Sequence, residues 1–214
     1  MMQYTGKYWM VLAPLIRRSL TRHFNKSFAV KTMKQAKIVY RKLLSRTADI
    51  GADNPMASNI YMCFVFFAVW QTADGQITVD MLRTISHEVI GVWYLKCMGI
   101  FMNMNRPSCV RAMDKMMHQN ADWLEKHPQY KDISWDFNFD ESKHRDGFYY
   151  HFTKCPLYEF AKKEGFMDVL PVMCEMDHLT AKLMHATLHR KHTLASGGKV
   201  CDYWFVGDRL KNPK

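Results

Sequence analysis

Apolar side chains recur at helical spacing through most of the first 125 residues. One stripe of apolar positions lies between Trp9 and Leu20 and is interrupted by Pro14. A second stripe lies between Phe28 and Leu43, with Lys and Arg falling largely between its apolar positions. This pattern predicts two amphipathic helices with basic outer faces.

The next predicted helix is apolar on every side. It starts at 53–55, where an Asp and an Asn precede a proline suited to the first helical turn, and it contains the apolar run Ile60 to Trp70. The apolar run is well short of the ~20 residues that span a bilayer, so it predicts a helix buried in the core. Thr78 caps a fourth predicted helix, and a fifth covers roughly residues 107–124.

The pattern changes to strands near residue 127. Residues 134–140 alternate between aromatic and polar side chains, and residues 148–156 are rich in aromatic residues, which together predict a β-hairpin. Residues 157–188 return to helical periodicity, with breaks expected at glycine and proline. Residues 192–206 predict two further strands joined at Ser196–Gly197–Gly198.

These elements predict an α+β protein, in which a helical N-terminal half precedes a small antiparallel sheet with a packed helix. The expected order of the second part is strand–strand–helix–strand–strand. We expect a helical region over 1–126 and an α+β unit over 127–214, forming one compact domain. A chain of 214 residues with 48% hydrophobic and 23% charged residues can bury such a core.

The net charge of +10 comes from one part of the chain. Residues 1–48 hold eleven Lys and Arg residues and no Asp or Glu, whereas the rest of the sequence is close to neutral. A basic helical segment suits a nucleic acid or an anionic membrane. Because aromatic residues are sparse among these charges, the pattern favours a solvated face, and we expect neither nucleic acid nor membrane as a clear partner.

The six cysteines are expected to be reduced thiols. The opening residues lack the order of charge, apolar run and cleavage site that marks a signal peptide, so the expected location is the cytoplasm. No glycine-rich phosphate loop, nucleophile elbow or H-E-x-x-H motif occurs in the sequence.

The candidate chemistry lies in the last 60 residues. Cys155 ends a predicted strand, Cys174 lies in the following helix with Asp177 one turn later, Arg190 opens the next predicted strand, and Cys201 lies in the last. A thiolate nucleophile, a carboxyl group that moves a proton and an arginine that holds an anion suit hydrolysis of a polarised carbon–nitrogen bond. We favour Cys174 as nucleophile, with Cys155 or Cys201 as substitutes.

Other interpretations of these residues remain open. The cysteines are also typical of small buried hydrophobic residues, and a carboxylate alone would raise the pKa of a neighbouring thiol, so a cation such as Arg190, His151 or His178 is needed. Three cysteines with His178 or Asp177 have the ligand types of a zinc site, although no C-x-x-C spacing is present. We therefore expect no metal or other cofactor, with zinc as the alternative.

The C-terminal motif resembles the L-2-amino-thiazoline-4-carboxylic acid hydrolase family. It reads FTKCP, then C-E-M-D, then R-x-x-T-x-A-x-G-x-x-x-C-D-Y-W-F. The helical segment 53–70 and the following ITVDML are also similar to that family. The matched motif positions are Cys155, Cys174, Asp177, Arg190, Thr193, Ala195, Gly197, Cys201 and Asp202.

The resemblance implies a hydrolase that opens the cyclic amidine of 2-aminothiazoline-4-carboxylate to a carbamoyl-cysteine. It implies Arg190 and Thr193 as substrate contacts, and Asn59 in the N-terminal half is a further candidate for a pocket. The alternative is a non-enzymatic module that binds a small molecule or metal, related to 4-vinyl reductase domains. We expect a small-molecule substrate, and a homo-oligomer is one possible assembly.

Overall fold

The computed structural model describes residues 1–97, 101–140, 144–211 and 213. Within them the chain forms seven α-helices: α1 (Gly6–His23), α2 (Lys26–Arg46), α3 (Ala57–Ala73), α4 (Val79–Cys97), α5 (Pro107–Lys126), α6 (Pro156–Glu164) and α7 (Leu170–Leu183). It also forms three strands: β1 (Phe148–Phe152), β2 (Ala186–His189) and β3 (Cys201–Gly207). The protein is therefore α+β, with a helical N-terminal half, as the sequence predicts.

The chain divides into two compact units. The first unit contains Met1–Ile90 and Phe160–Met173, and the second contains Gly91–Glu159 and Cys174–Lys214. The change of pattern near residue 127 falls inside the second unit.

Helix α3 forms the centre of the first unit. It packs against α1 and α2, and its apolar side chains are buried around its whole circumference, which confirms the predicted buried helix. Phe67 stacks on Phe166 with ring centroids 4.7 Å apart, and Phe64 lies 4.3 Å from Phe160. A helix that is apolar on every side needs this complete cover to avoid water.

The helix ends in the first unit follow local capping rules. The Asn25 side chain accepts a hydrogen bond from the Phe28 N–H at 2.9 Å at the start of α2, and Thr78 accepts one from the Met81 N–H at 3.2 Å at the start of α4. Helix α3 begins at Ala57, later than predicted, because the buried Asn54 side chain folds the preceding residues into a turn.

In the second unit, β3 is the central strand and pairs antiparallel with β1 on one side and β2 on the other. The register places Phe152 opposite Cys201, and Tyr150 opposite Tyr203. Because side chains alternate along a strand, these four residues share one face of the sheet. Helix α5 packs against β1.

The predicted four-strand arrangement is wrong in two places. Residues 134–140 form only a single bridge, between Asn138 and His151, because the Asp136 carboxylate instead accepts hydrogen bonds from the backbone of Thr153 and Lys154. The aromatic side chains still pack inward, with Phe137 4.9 Å from Phe152.

The second difference lies after α7. The strand before the last is β2, within the segment predicted to be helical, and Leu194–Ser196 form a 3₁₀ turn instead of a strand. Thr193 caps that turn by exchanging hydrogen bonds with Ser196, and Gly197 ends it with a φ of +85°. The observed order of the second half is therefore strand, two helices and two strands.

Two further expectations concern the whole chain. Cys63, Cys109, Cys155, Cys174 and Cys201 are free thiols, whereas the side chain of Cys97 lies outside the described residues. Across the described ranges, no α-helix has both the length and the apolar character needed to cross a membrane.

Candidate active site

The structure brings five of the predicted site residues together in the second unit. Cys155 immediately precedes α6, Cys174 and Asp177 lie in α7, Arg190 directly follows β2, and Cys201 begins β3. The thiols and the charged groups influence one another's pKa values, which places them in one electrostatic cluster. We call these five residues the cysteine cluster.

A partly buried ion pair connects two elements of the cluster. The Arg190 Nη1 atom donates to Asp177 Oδ2 at 2.7 Å, and Nη2 donates to the Cys174 carbonyl oxygen. The Arg190 side chain is only 4% exposed, whereas that of Asp177 is 37% exposed. Arg190 therefore joins the end of β2 to α7, while one side of the Asp177 carboxylate reaches solvent.

Tyr203 completes this arrangement from the central strand. Its hydroxyl donates to Asp177 Oδ2 at 3.2 Å, and the Arg190 guanidinium lies 5.0 Å from the centre of its ring. Burial, followed by the negative charge of Asp177, raises the pKa of Tyr203 well above its usual value. Tyr203 therefore stays protonated and acts as a hydrogen-bond donor at neutral pH.

All three thiols of the cluster are protonated in the resting protein. Burial raises the pKa of Cys155 to about 12. Burial and then the Asp177 charge raise that of Cys174 well above its usual value, and burial also raises that of Cys201. A thiol must be ionised to act as a nucleophile, so a bound cation or base is needed before any of them can react.

Cys155 has surroundings that would stabilise a thiolate. It is the residue before the first turn of α6, where its carbonyl accepts the Glu159 N–H at 3.1 Å. The N–H groups of Tyr158 and Leu157 and the side chain of Trp135 favour the charged form of its sulfur and so lower its pKa. A helix N-terminus with free N–H groups favours negative charge. These donors lower the pKa of Cys155, although burial outweighs them.

Cys201 has one described donor, and Thr193 has a local role. The Leu194 N–H donates to Cys201 Sγ at 3.2 Å. The Thr193 hydroxyl accepts the Ser196 N–H at 3.0 Å, within the capping of the 3₁₀ turn. Asn59 lies on α3 in the first unit, where its side chain donates to the Met56 sulfur at 3.8 Å. Roles of Thr193 and Asn59 in substrate binding stay predictions.

The histidines considered as cationic neighbours do not supply the missing charge. Burial, followed by repulsion from Arg190, lowers the pKa of His178, which favours its neutral form. His151 alternates with Tyr150 and Phe152 along β1, so it lies on the opposite sheet face from Cys201. Among the residues that the structure describes, no group of three or more His, Cys, Asp or Glu side chains is placed to hold a metal ion.

Two residues of the site are not predicted from the sequence. Tyr203 is two positions after Cys201, and the alternation of the final strand is the signal that could have placed both on one face. Trp135 is 4% exposed and reaches Cys155 from a segment 20 residues earlier, for which the sequence carries no comparable signal. Tyr149 and Trp204 pair with each other on the other sheet face.

Comparisons with known proteins identify the family of the chain. Neither the curated proteins nor the solved structures contain a significant match to the chain. The family model described as L-2-amino-thiazoline-4-carboxylic acid hydrolase matches residues 58–205. That range covers most of the chain and includes the entire cysteine cluster, with Trp135 and Tyr203. The chain therefore belongs to the L-2-amino-thiazoline-4-carboxylic acid hydrolase family.

Proposed function

We propose that the protein hydrolyses a carbon–nitrogen bond in a small cyclic amidine that carries a carboxylate, such as L-2-amino-thiazoline-4-carboxylate, to give a carbamoyl-cysteine. The observation that carries this proposal is the Asp177–Arg190 ion pair, whose arginine also binds the Cys174 carbonyl oxygen within the cysteine cluster. Membership of a family named for this hydrolysis supports the choice of substrate class.

The substrate itself supplies the positive charge that the resting cluster lacks. An amidine is a strong base and carries a proton at neutral pH, so its reactive carbon lies within a cation. A cation within about 4–6 Å lowers the pKa of a thiol by about 1–3 units. The partly exposed Asp177 carboxylate can pair with the amidinium and bring it beside the thiols. Substrate binding and thiol activation are thereby coupled.

The three N–H donors favour Cys155 over Cys174 as the nucleophile, in contrast to the preference from sequence. The thiol gives its proton to Asp177, and its sulfur forms a bond to the amidine carbon. The ring carbon–nitrogen bond then breaks, and the leaving nitrogen takes the proton from Asp177. Water adds to the same carbon and expels the thiol, so one water is consumed for each ring opened.

Arg190 orients Asp177 in this proposal. Two of its nitrogen atoms are already engaged, with Asp177 and with the Cys174 carbonyl. This geometry fixes the carboxylate at the face of the cluster. The predicted contact between Arg190 and a substrate carboxylate stays a prediction, since it would require a further guanidinium donor.

The test is turnover of L-2-amino-thiazoline-4-carboxylate by the purified protein, followed by mass spectrometry of the carbamoyl-cysteine product. Three variants, Cys155→Ala, Cys174→Ala and Cys201→Ala, are compared with the parent protein. We expect Cys155→Ala to lower kcat by roughly a thousandfold or more, because it removes the bond-forming atom. The other two variants should stay within about tenfold of the parent, because they alter only the surroundings of that atom.

Each result has a defined meaning. A loss confined to Cys174→Ala would place the nucleophile on α7, as the sequence favours. Turnover that survives in all three variants would contradict a thiol mechanism. Stoichiometric zinc in the purified protein, lost together with the cysteines and without turnover of any cyclic amidine, would favour the binding module related to 4-vinyl reductase domains.

A further inference from the structure

The outer surface of α2 carries an unusual combination of charge and apolar exposure. Seven cations on this helix are exposed, and six of them share one side with two exposed branched aliphatic side chains, Val30 at 47% and Ile38 at 49%. At 3.6 residues per turn, all eight fall within one arc of about 160°. We call this set the α2 basic face: Lys26, Val30, Lys31, Lys34, Lys37, Ile38, Arg41 and Lys42.

Most cations of the α2 basic face form no ion pair with the described part of the protein. Elsewhere in the first unit, Arg22 pairs with Glu88 and Arg46 pairs with Glu164, and Arg41 lies over the Tyr4 ring at 4.5 Å. The five lysines of the α2 basic face form no ion pair within the described part of the chain. The acid-free composition of residues 1–48 extends this positive field beyond the helix itself.

We propose that the α2 basic face docks on an anionic lipid bilayer, with its cations at the headgroups and Val30 and Ile38 entering the interface. The two aliphatic side chains are about 12 Å apart along the helix axis, and lysines 31, 34 and 37 lie between them. Aliphatic side chains surrounded by lysines gain free energy where headgroups meet acyl chains. The opposite side of the helix is buried against α1 and α3, so docking leaves the fold unchanged.

The chemistry of the face favours a membrane over a nucleic acid. Five of its six cations are lysines, which act as point charges without the two-pronged geometry that arginine offers to phosphates and bases. No aromatic side chain lies on the arc to stack on a base. The exposed Val30 and Ile38 would add nothing to contacts with a phosphate backbone, whereas they suit the interfacial region of a bilayer.

The test is co-sedimentation of the full chain with vesicles of phosphatidylcholine, with and without phosphatidylserine. We expect binding to the anionic vesicles, none to the neutral vesicles, and release at about 1 M salt, where charges are screened within about 3 Å. Each lysine near an anionic surface strengthens binding about fivefold. The variant Lys31→Gln/Lys34→Gln/Lys37→Gln should therefore bind about a hundredfold more weakly.

Two further variants separate the contributions. Val30→Ser/Ile38→Ser keeps every charge and should weaken binding by roughly tenfold, because it removes only the apolar contact. Lys115→Gln/Lys162→Gln/Lys163→Gln removes the same charge from exposed positions elsewhere and should bind like the parent protein.

Some results would overturn the proposal. These are binding to neutral vesicles that matches binding to anionic ones, equal losses in the two triple lysine variants, and a Val30→Ser/Ile38→Ser variant as tight as the parent. Absence of anionic-vesicle binding also overturns it, as does preferential binding of a DNA or RNA duplex over the vesicles. None of these readouts depends on hydrolase activity, so the membrane proposal and the proposed function can fail separately.

Discussion

At the scale of single residues, two opposing effects determine whether the Cys155 thiol is ionised. The N–H groups of Leu157 and Tyr158 and the Trp135 side chain favour the Cys155 thiolate, and removal from water opposes it more strongly. The same arrangement keeps the thiol unreactive until a cation arrives. The same two effects therefore keep the Cys155 thiol unreactive before substrate binds and allow it to react with a bound amidinium.

This balance predicts how Cys155 responds to pH. Because its pKa is about 12, the thiolate fraction rises about tenfold with each pH unit throughout the range 7 to 9. The rate of Cys155 alkylation by iodoacetamide, followed by peptide mass spectrometry, should rise in the same proportion without a plateau. In urea-unfolded protein the same cysteine should level off near its ordinary pKa of about 8.5. A plateau below pH 9 in the folded protein would contradict the proposed environment.

The residues of the cysteine cluster can be selected from the sequence, whereas their contacts with one another cannot. The sequence alone identifies the thiols, the carboxyl group and the guanidinium of the cysteine cluster as candidate reactive groups, and the structure places them together. The Asp177–Arg190 pair depends on where β2 ends. The sequence predicts a helix through most of that strand, so it does not predict the pair. Trp135 could not be placed at all, because its approach to Cys155 depends on the Asp136 carboxylate binding the backbone just before that cysteine.

At the scale of elements, helices were predicted more accurately than strands. Helices α2 and α5 have long apolar stripes, and α4 begins at its Thr78 cap, so local signals suffice. Strand β2 has four residues, of which only Ala186 and Leu188 are buried. Two alternating apolar positions are too few to distinguish a strand from the last turn of α7. Its start also depends on His185, which adopts a positive φ of 55°. Glycine or asparagine would have indicated such a turn, and neither stands at this position.

The turn into β1 gives a prediction about stability. Gly147 has a φ of +75°, and a Cβ atom there would lie 1.9 Å from the Phe205 carbonyl oxygen of the central strand. We expect Gly147→Ala to lower the free energy of unfolding by about 3 kcal/mol, from backbone strain together with disruption of the β1–β3 edge. Urea unfolding followed by circular dichroism measures this loss.

Gly75 provides the matched control. It has a similar φ of +79°, but a Cβ atom would meet nothing within 4 Å. Gly75→Ala should therefore cost only the backbone strain, about 1 kcal/mol. If the two substitutions have equal effects, close packing against β3 does not explain the requirement for glycine at position 147.

At the scale of the whole molecule, the chemical cluster and the basic face lie in different compact units. The cysteine cluster belongs to the second unit, and the α2 basic face belongs to the first. The family match begins at residue 58 and so includes α3 but neither α1 nor α2. The basic N-terminal helices therefore lie outside the matched range, and they cover α3.

This dependence gives the final prediction. A chain of residues 49–214 would leave the α3 surfaces that contact α1 and α2 exposed to water, including parts of a helix that is buried on all sides in the full chain. Large exposed apolar patches drive association. We therefore expect the truncated protein to aggregate in size-exclusion chromatography and to bind a hydrophobic dye. The variant Lys31→Gln/Lys34→Gln/Lys37→Gln should remain unaggregated, because it removes charge while α3 stays covered. A truncated chain that stays unaggregated and folded would show that α3 needs no cover from α1 and α2, and only then could deletion of residues 1–48 isolate the contribution of their charge.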